Sequence, residues 1–96
     1  AKVVKLRNLD EAIGDADILH VIRPQRERWG SSEHKIYQSV NSEVLAMMKK
    51  DALVLHALPR TGELTFDTDA DPRSVIWDQV QNGLYIRAAL LEYFLS

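Results

Sequence analysis

Leu53-Val54-Leu55-His56-Ala57-Leu58-Pro59-Arg60 is the stretch that decides the fold. Three branched apolar residues run into a His, and Pro59 then removes the backbone donor that a central strand needs. This is the pattern of a buried parallel strand whose carboxyl end opens onto a site. Working upstream, Asn41 is an N-cap for a helix over Ser42 to Lys50, with Val44, Leu45, Met47 and Met48 as its inner stripe and Lys49-Lys50 complementing the dipole at its end. Before that, Ala16 to Ile22 is apolar nearly throughout and predicts a second strand, buried on both faces. Lys2 to Leu6 predicts a first strand, and Asn8 with Leu9 to Ile13 a short helix that Gly14 stops. Strand, helix and strand within 22 residues make a right-handed βαβ unit, with Leu53–His56 as the third parallel strand.

Downstream, Thr61 to Pro72 predicts a long loop, with Asp71 capping a helix that begins at Pro72. Ser74 to Gln81 predicts a helix packed through Val75, Ile76, Trp77 and Val80, and Asn82-Gly83 breaks or bends it. Leu84 to Leu95 predicts a last helix with Leu84, Ala88, Leu91 and Leu95 on one face. The class is α/β with a parallel sheet.

Composition narrows the functions. Ninety-six residues make one small domain, and twelve basic against fourteen acidic residues give a net charge of −2. No basic stripe with interleaved aromatics points to nucleic acid, and no apolar run is long enough to span a membrane. There is no cysteine, so neither a disulfide framework nor a thiolate metal site is available. His20, His34 and His56 lack ligand spacing. Glu63, Asp67, Asp69 and Asp71 are close together but do not follow the EF-hand pattern, so neither metal nor cofactor is predicted.

Two strand ends carry distinctive side chains. One supplies Arg23, Gln25, Arg26, Glu27 and Arg28; the other supplies His56, Ala57, Leu58, Pro59 and Arg60. Guanidinium forks bind carboxylate or phosphate through paired charge-assisted bonds, and Glu27 can hold an arginine in place. The same arginines also fit a solvated surface balanced by nearby acids, and spacing alone leaves both open. No Gly-rich phosphate loop and no nucleophile elbow is present. The residues by themselves describe an anion-binding α/β module with an undefined reaction.

Three motifs go further. Val21-Ile22-Arg23-Pro24-Gln25-Arg26-Glu27-Arg28-Trp29 resembles the "TR-x-Q-x-ER-F" stretch of aspartate carbamoyltransferases. His56-Ala57-Leu58-Pro59-Arg60 resembles their "HPLPR". Asp71-Pro72-Arg73 and Gln79 to Leu91 resemble their "DPR…Q-x-x-NGLYVRMALL". Order and spacing agree over nearly the whole chain. The family joins carbamoyl phosphate to the amine of L-aspartate, giving N-carbamoyl-L-aspartate and phosphate in pyrimidine biosynthesis. The resemblance implies a three-layer, Rossmann-like parallel sheet, present as a partial domain with C-terminal helices. It implies that Arg23 binds an aspartate carboxylate with help from Gln25, and that Glu27 and Arg28 support Arg23. It further implies that the carbonyls of Ala57 and Leu58 face the reacting amine and the carbamoyl nitrogen across a cis Leu58–Pro59 bond. His56, Pro59, Arg60 and Glu63 become local supports. Ornithine carbamoyltransferases differ, with a Cys after this His and an "SMG" loop; neither is found here.

The departures from the family pattern are Ala57 for a Pro, Gly62 where Asp is frequent, Pro24 between the Arg and the Gln, and Trp77-Asp78-Gln79 in place of a "YF-R/Q-Q" stretch. The family's carbamoyl-phosphate domain, with its "S-x-R-T" motif, has no counterpart in these residues. The resemblance therefore assigns residues 1–83 to the later part of the aspartate-binding domain. It assigns 84–96 to a helix that packs on the carbamoyl-phosphate domain. It implies no catalytic residue within the chain, no turnover by the chain alone, and a homotrimer for the full protein. The implied compartment is the cytoplasm, or an organelle if a targeting segment precedes Ala1. The competing reading is a non-catalytic, transcarbamylase-like remnant serving as a structural or binding subunit.

Overall fold

The computed structural model describes residues 2–6, 8–24 and 38–96. Two strands, β1 (Ile18–Val21) and β2 (Leu53–His56), pair in parallel, from Ile18 opposite Leu53 to Val21 opposite His56. Helix α1 (Ser42–Ala46) lies in the connection between them and helix α2 (Ile76–Leu95) follows β2. Two 3₁₀ segments, Leu9–Glu11 and Phe66–Ala70, complete the regular structure of the described residues.

β2 is bonded along both edges, and this makes it the axis of the molecule. On one edge Leu53 N–H donates to the Asp17 carbonyl (2.9 Å) at the start of the pairing with β1. On the other, Val54 N–H donates to the Arg73 carbonyl (2.8 Å) and the Val54 carbonyl accepts from Val75 N–H (3.1 Å). Donors on a strand alternate between edges, so His56 N–H faces the same way as Val54 N–H. The chain has turned into α2 by that point, and the side chain of Gln79 takes the bond instead, Oε1 accepting from His56 N–H at 3.2 Å.

The core forms on one face of this pair. Ile13, Val40, Val44, Leu45, Met48, Ala52, Val54, Leu64 and Ile76 are buried together, with Leu9, Leu19, Val21 and Leu58 packed against them. Burying each of the larger side chains contributes roughly 1.5–3 kcal/mol. Asn41 caps α1 as its sequence predicts, its Oδ1 accepting from Val44 N–H (3.1 Å). Asp67 Oδ2 adds a second cap, accepting from Ser42 N–H at 3.1 Å. Beyond α1, the Arg73 guanidinium donates to the carbonyls of Met48 (3.2 Å) and Lys49 (3.0 Å) while gripping Asp71.

Several expectations are corrected. Residues 2–6 form no strand: Val3 and Val4 are 92% and 61% exposed, and no described segment pairs with them. The first 22 residues therefore make no βαβ unit; the parallel pair is closed by the connection through α1. β1 is shorter than Ala16–Ile22 and is not buried on both faces. Ile18 and His20 are exposed while Leu19 and Val21 face the core. Asn8 makes no side-chain cap, and its segment is a single 3₁₀ turn. α1 is one turn long, and helical spacing places Met47 to the side of the face that Val44, Leu45 and Met48 bury, leaving it 47% exposed. Lys49 reaches Asp17 (2.9 Å) at the surface, and Arg73 serves the helix end. Asp71 closes a turn onto Arg73 N–H (2.9 Å), and α2 begins at Ile76.

The largest correction is to α2, which runs unbroken through Asn82-Gly83. A glycine ends a helix by turning left-handed, and no described glycine has a positive φ. In a right-handed helix Gly83 only weakens it, by about 1 kcal/mol. Of the twenty residues of α2, Ile76 alone is buried, so Trp77 and Val80 do not pack as predicted.

Candidate functional site

The pairing of Val21 with His56 brings the two carboxyl strand ends side by side. Arg23 leaves one of them and Ala57-Leu58-Pro59 the other. Together with Pro24, Gln38, His56 and Glu63 they line an open cleft of about 720 Å³. A cleft of this volume at the carboxyl ends of parallel strands suits a small polar ligand. Arg23 is half-buried and supplies the cationic side chain. Gln25, Glu27 and Arg28 lie outside the described residues.

The turn after β2 has an unusual backbone. Leu58–Pro59 is cis, as the resemblance implies, and Leu58 has a φ of 55°. A left-handed leucine costs roughly 1–2 kcal/mol, so the surroundings must hold it. His56 does so from below. Its ring is 1% exposed, its Nδ1 accepts from Leu58 N–H (2.7 Å), and its Nε2 lies 2.6 Å from Glu63 Oε1. Because Nδ1 accepts, the ring proton resides on Nε2 and is donated to Glu63.

Glu63 is also buried, and it gathers the turn. Its carboxylate accepts from the Thr61 hydroxyl (2.6 Å) and from Thr61 N–H (3.1 and 3.2 Å) as well as from His56. Burial by itself would raise its pKa. The Thr61 hydroxyl, backbone N–H groups and His56 outweigh burial and bring it from the ordinary 4.5 to about 2. The carboxylate is ionised and fully hydrogen-bonded at neutral pH.

Arg60 does not join the cleft. It turns away to form a two-bond pair with Asp69 (2.7 and 2.5 Å), with its guanidinium 4.3 Å from the centre of the Phe66 ring. It is a clamp between the turn and the Phe66–Ala70 segment, and its own partner is Asp69, not Glu63. Sequence reading missed Gln38, Thr61, Asp69 and Gln79. Strand parity requires a partner for His56 N–H but does not name Gln79 as that partner. Among the described residues no group of three or more His, Cys, Asp or Glu could hold a metal ion, and no helix is long and apolar enough to cross a membrane.

The fold and site thus define an α/β module with an arginine-bearing cleft at the ends of parallel strands. The model of the aspartate/ornithine carbamoyltransferase Asp/Orn-binding domain matches residues 2–94, and the chain belongs to that family. It is similar to the chloroplastic aspartate carbamoyltransferase of Arabidopsis thaliana, 39% identical over 94 residues covering 92% of this chain and 24% of the relative. It is similar also to the multifunctional protein CAD of Squalus acanthias, 37% identical over 93% of this chain and 4% of that protein. Among solved structures, aspartate transcarbamoylase from Trypanosoma cruzi in complex with carbamoyl phosphate superposes with a TM-score of 0.77. That match has 31% identity and covers 85% of this chain and 28% of the other. The same enzyme in complex with aspartate and phosphate gives a TM-score of 0.73 at 32% identity, covering 85% and 24%. The chain spans about a quarter of the length of the aspartate carbamoyltransferases it matches.

Proposed function

We propose that this chain supplies the aspartate-binding half-site of an aspartate carbamoyltransferase. The observation that carries the reading is the shared cleft: Arg23 and the Ala57–Leu58 turn, far apart in sequence, line one cavity. In this reading the Arg23 guanidinium holds a carboxylate of L-aspartate, with Gln25 beside it. Glu27 and Arg28 steady Arg23. The carbonyls of Ala57 and Leu58 accept from the amine and from the carbamoyl nitrogen, directing the amine lone pair at the carbamoyl carbon. A bond from nitrogen to that carbon forms, the bond to the phosphate oxygen breaks, and the amine loses a proton. Phosphate and the polarised carbonyl are held by a carbamoyl-phosphate-binding domain outside these residues, on which 84–96 pack. The chain alone does not turn over, because the donors that stabilise developing charge commonly supply the largest catalytic effect. The full protein is a trimer in the cytoplasm or an organelle.

The matched relatives are enzymes by name, which favours this reading over a non-catalytic remnant. The test uses the native polypeptide that carries residues 1–96, assayed for N-carbamoyl-L-aspartate from carbamoyl phosphate and L-aspartate. Arg23→Ala is expected to lower kcat/KM for aspartate on the order of a hundredfold, the size of a lost charge-assisted bond pair. Absence of product from the unmodified polypeptide, or an Arg23→Ala variant with unchanged kinetics, would overturn the assignment.

A further inference from the structure

We propose that the buried pair His56–Glu63 is a positioning device that fixes one imidazole tautomer and thereby aims the carbonyl of Ala57 into the cleft. The inference deepens the aspartate-binding reading and rests on it.

The peptide between Ala57 and Leu58 is trans, so its C=O and N–H point in opposite directions across one rigid plane. Leu58 N–H is tied to His56 Nδ1 at 2.7 Å. The Ala57 carbonyl therefore points away from the buried ring, and Ala57 itself is exposed where this cleft meets a neighbouring one walled by α2. Rotation of that plane would break the Leu58 bond and leave Nδ1, buried with its ring, without a partner. Nδ1 can accept only if the proton sits on Nε2, and Glu63 Oε1 at 2.6 Å holds it there. A carboxylate accepts and never donates, so the Nδ1–H tautomer would place two lone pairs against each other at Glu63 and two N–H groups against each other at Leu58. Glu63 is itself held by both donors of Thr61, and Gln79 anchors the backbone of His56. The direction of the Ala57 carbonyl is thus fixed by a chain of bonds that begins at Glu63 and passes through the His56 ring.

Two measurements test this in the native polypeptide carrying the chain. Long-range proton–nitrogen NMR correlation on ¹⁵N-histidine protein, with His56→Asn to assign the resonance, is expected to show Nε2 protonated and Nδ1 bare. A bare Nε2 would overturn the proposal, whatever the variants do. The second measurement is kinetic. Asn at position 56 can still accept from the N–H two residues on, as in an Asx turn, whereas Leu cannot. His56→Leu is expected to raise KM for aspartate about tenfold or more with a smaller change in KM for carbamoyl phosphate, and His56→Asn, which keeps an acceptor for Leu58 N–H but loses the bond to Glu63, to raise it by a smaller factor than Leu does. Equal damage by both variants, or equal shifts in both KM values, would sink the positioning role. If His56→Leu does not fold, the NMR result decides. No turnover by the unmodified protein would instead count against the aspartate-binding reading and leave the tautomer measurement standing.

Discussion

The turn over residues 56–69 and helix α2 handle their side chains in opposite ways. The turn buries a His, a Glu and a Thr, and among the described residues no buried side-chain polar atom is left without a bond. α2 is apolar along much of its length and buries almost none of it: Leu84, Ile86, Leu91 and Leu95 are between 61% and 80% exposed. Its first turns instead wall a second open cleft of about 860 Å³ against Leu53, Leu55 and Val75. The turn is complete within the chain. The helix offers a surface of the kind that marks an interaction face. Exposed apolar area adds nothing to the stability of the chain, so substitutions in the two regions should have unequal consequences.

The sharpest test of that inequality is in the body that supports the turn. Leu45→Ala removes a side chain with no exposure and is expected to cost about 2–5 kcal/mol by urea denaturation. Glu63→Ala should come next, at about 3 kcal/mol, because it strands a buried imidazole N–H and two donors of Thr61. Finding it neutral would mean that the network does not hold the turn. Acid titration addresses the same group without mutation. The folded pKa of Glu63 lies below its ordinary 4.5, so its contribution is fully present above that value. The contribution drains as pH falls toward about 2, and an unfolding midpoint that stays flat across this window would contradict the bonding at Glu63. Smallest of all, Leu91→Ser on α2 should change chain stability by no more than about 0.5 kcal/mol. A loss of several kcal/mol there would show that α2 is covered within the chain and dissolve the contrast.

Much of the middle of the chain was legible. Leu53 to His56 is a strand because branched apolar residues end at a proline, and Asn41 caps α1 because its side chain can reach Val44 N–H. The pairing of Arg23 with the Ala57 turn followed from two apolar runs, each ended by a proline close behind. The burial readings that failed share one cause. Val3, Ile18 and Trp77 are apolar and sit at good periodic spacing, yet apolar character says only that a residue can be buried, not that a surface is there to bury it.

The sequence by itself determined the parallel α/β class, the strand ending at His56 and the family. Local chemistry does this: branching, capping and missing donors act over a few neighbours. The tertiary structure alone decided that α2 is unbroken, that one face of the β1–β2 pair stays open, that Arg60 serves Asp69, and that Gln79 completes the edge of β2. Those outcomes depend on which groups meet across long stretches of chain, and hydrogen bonds and burial are settled only when the partners are in place.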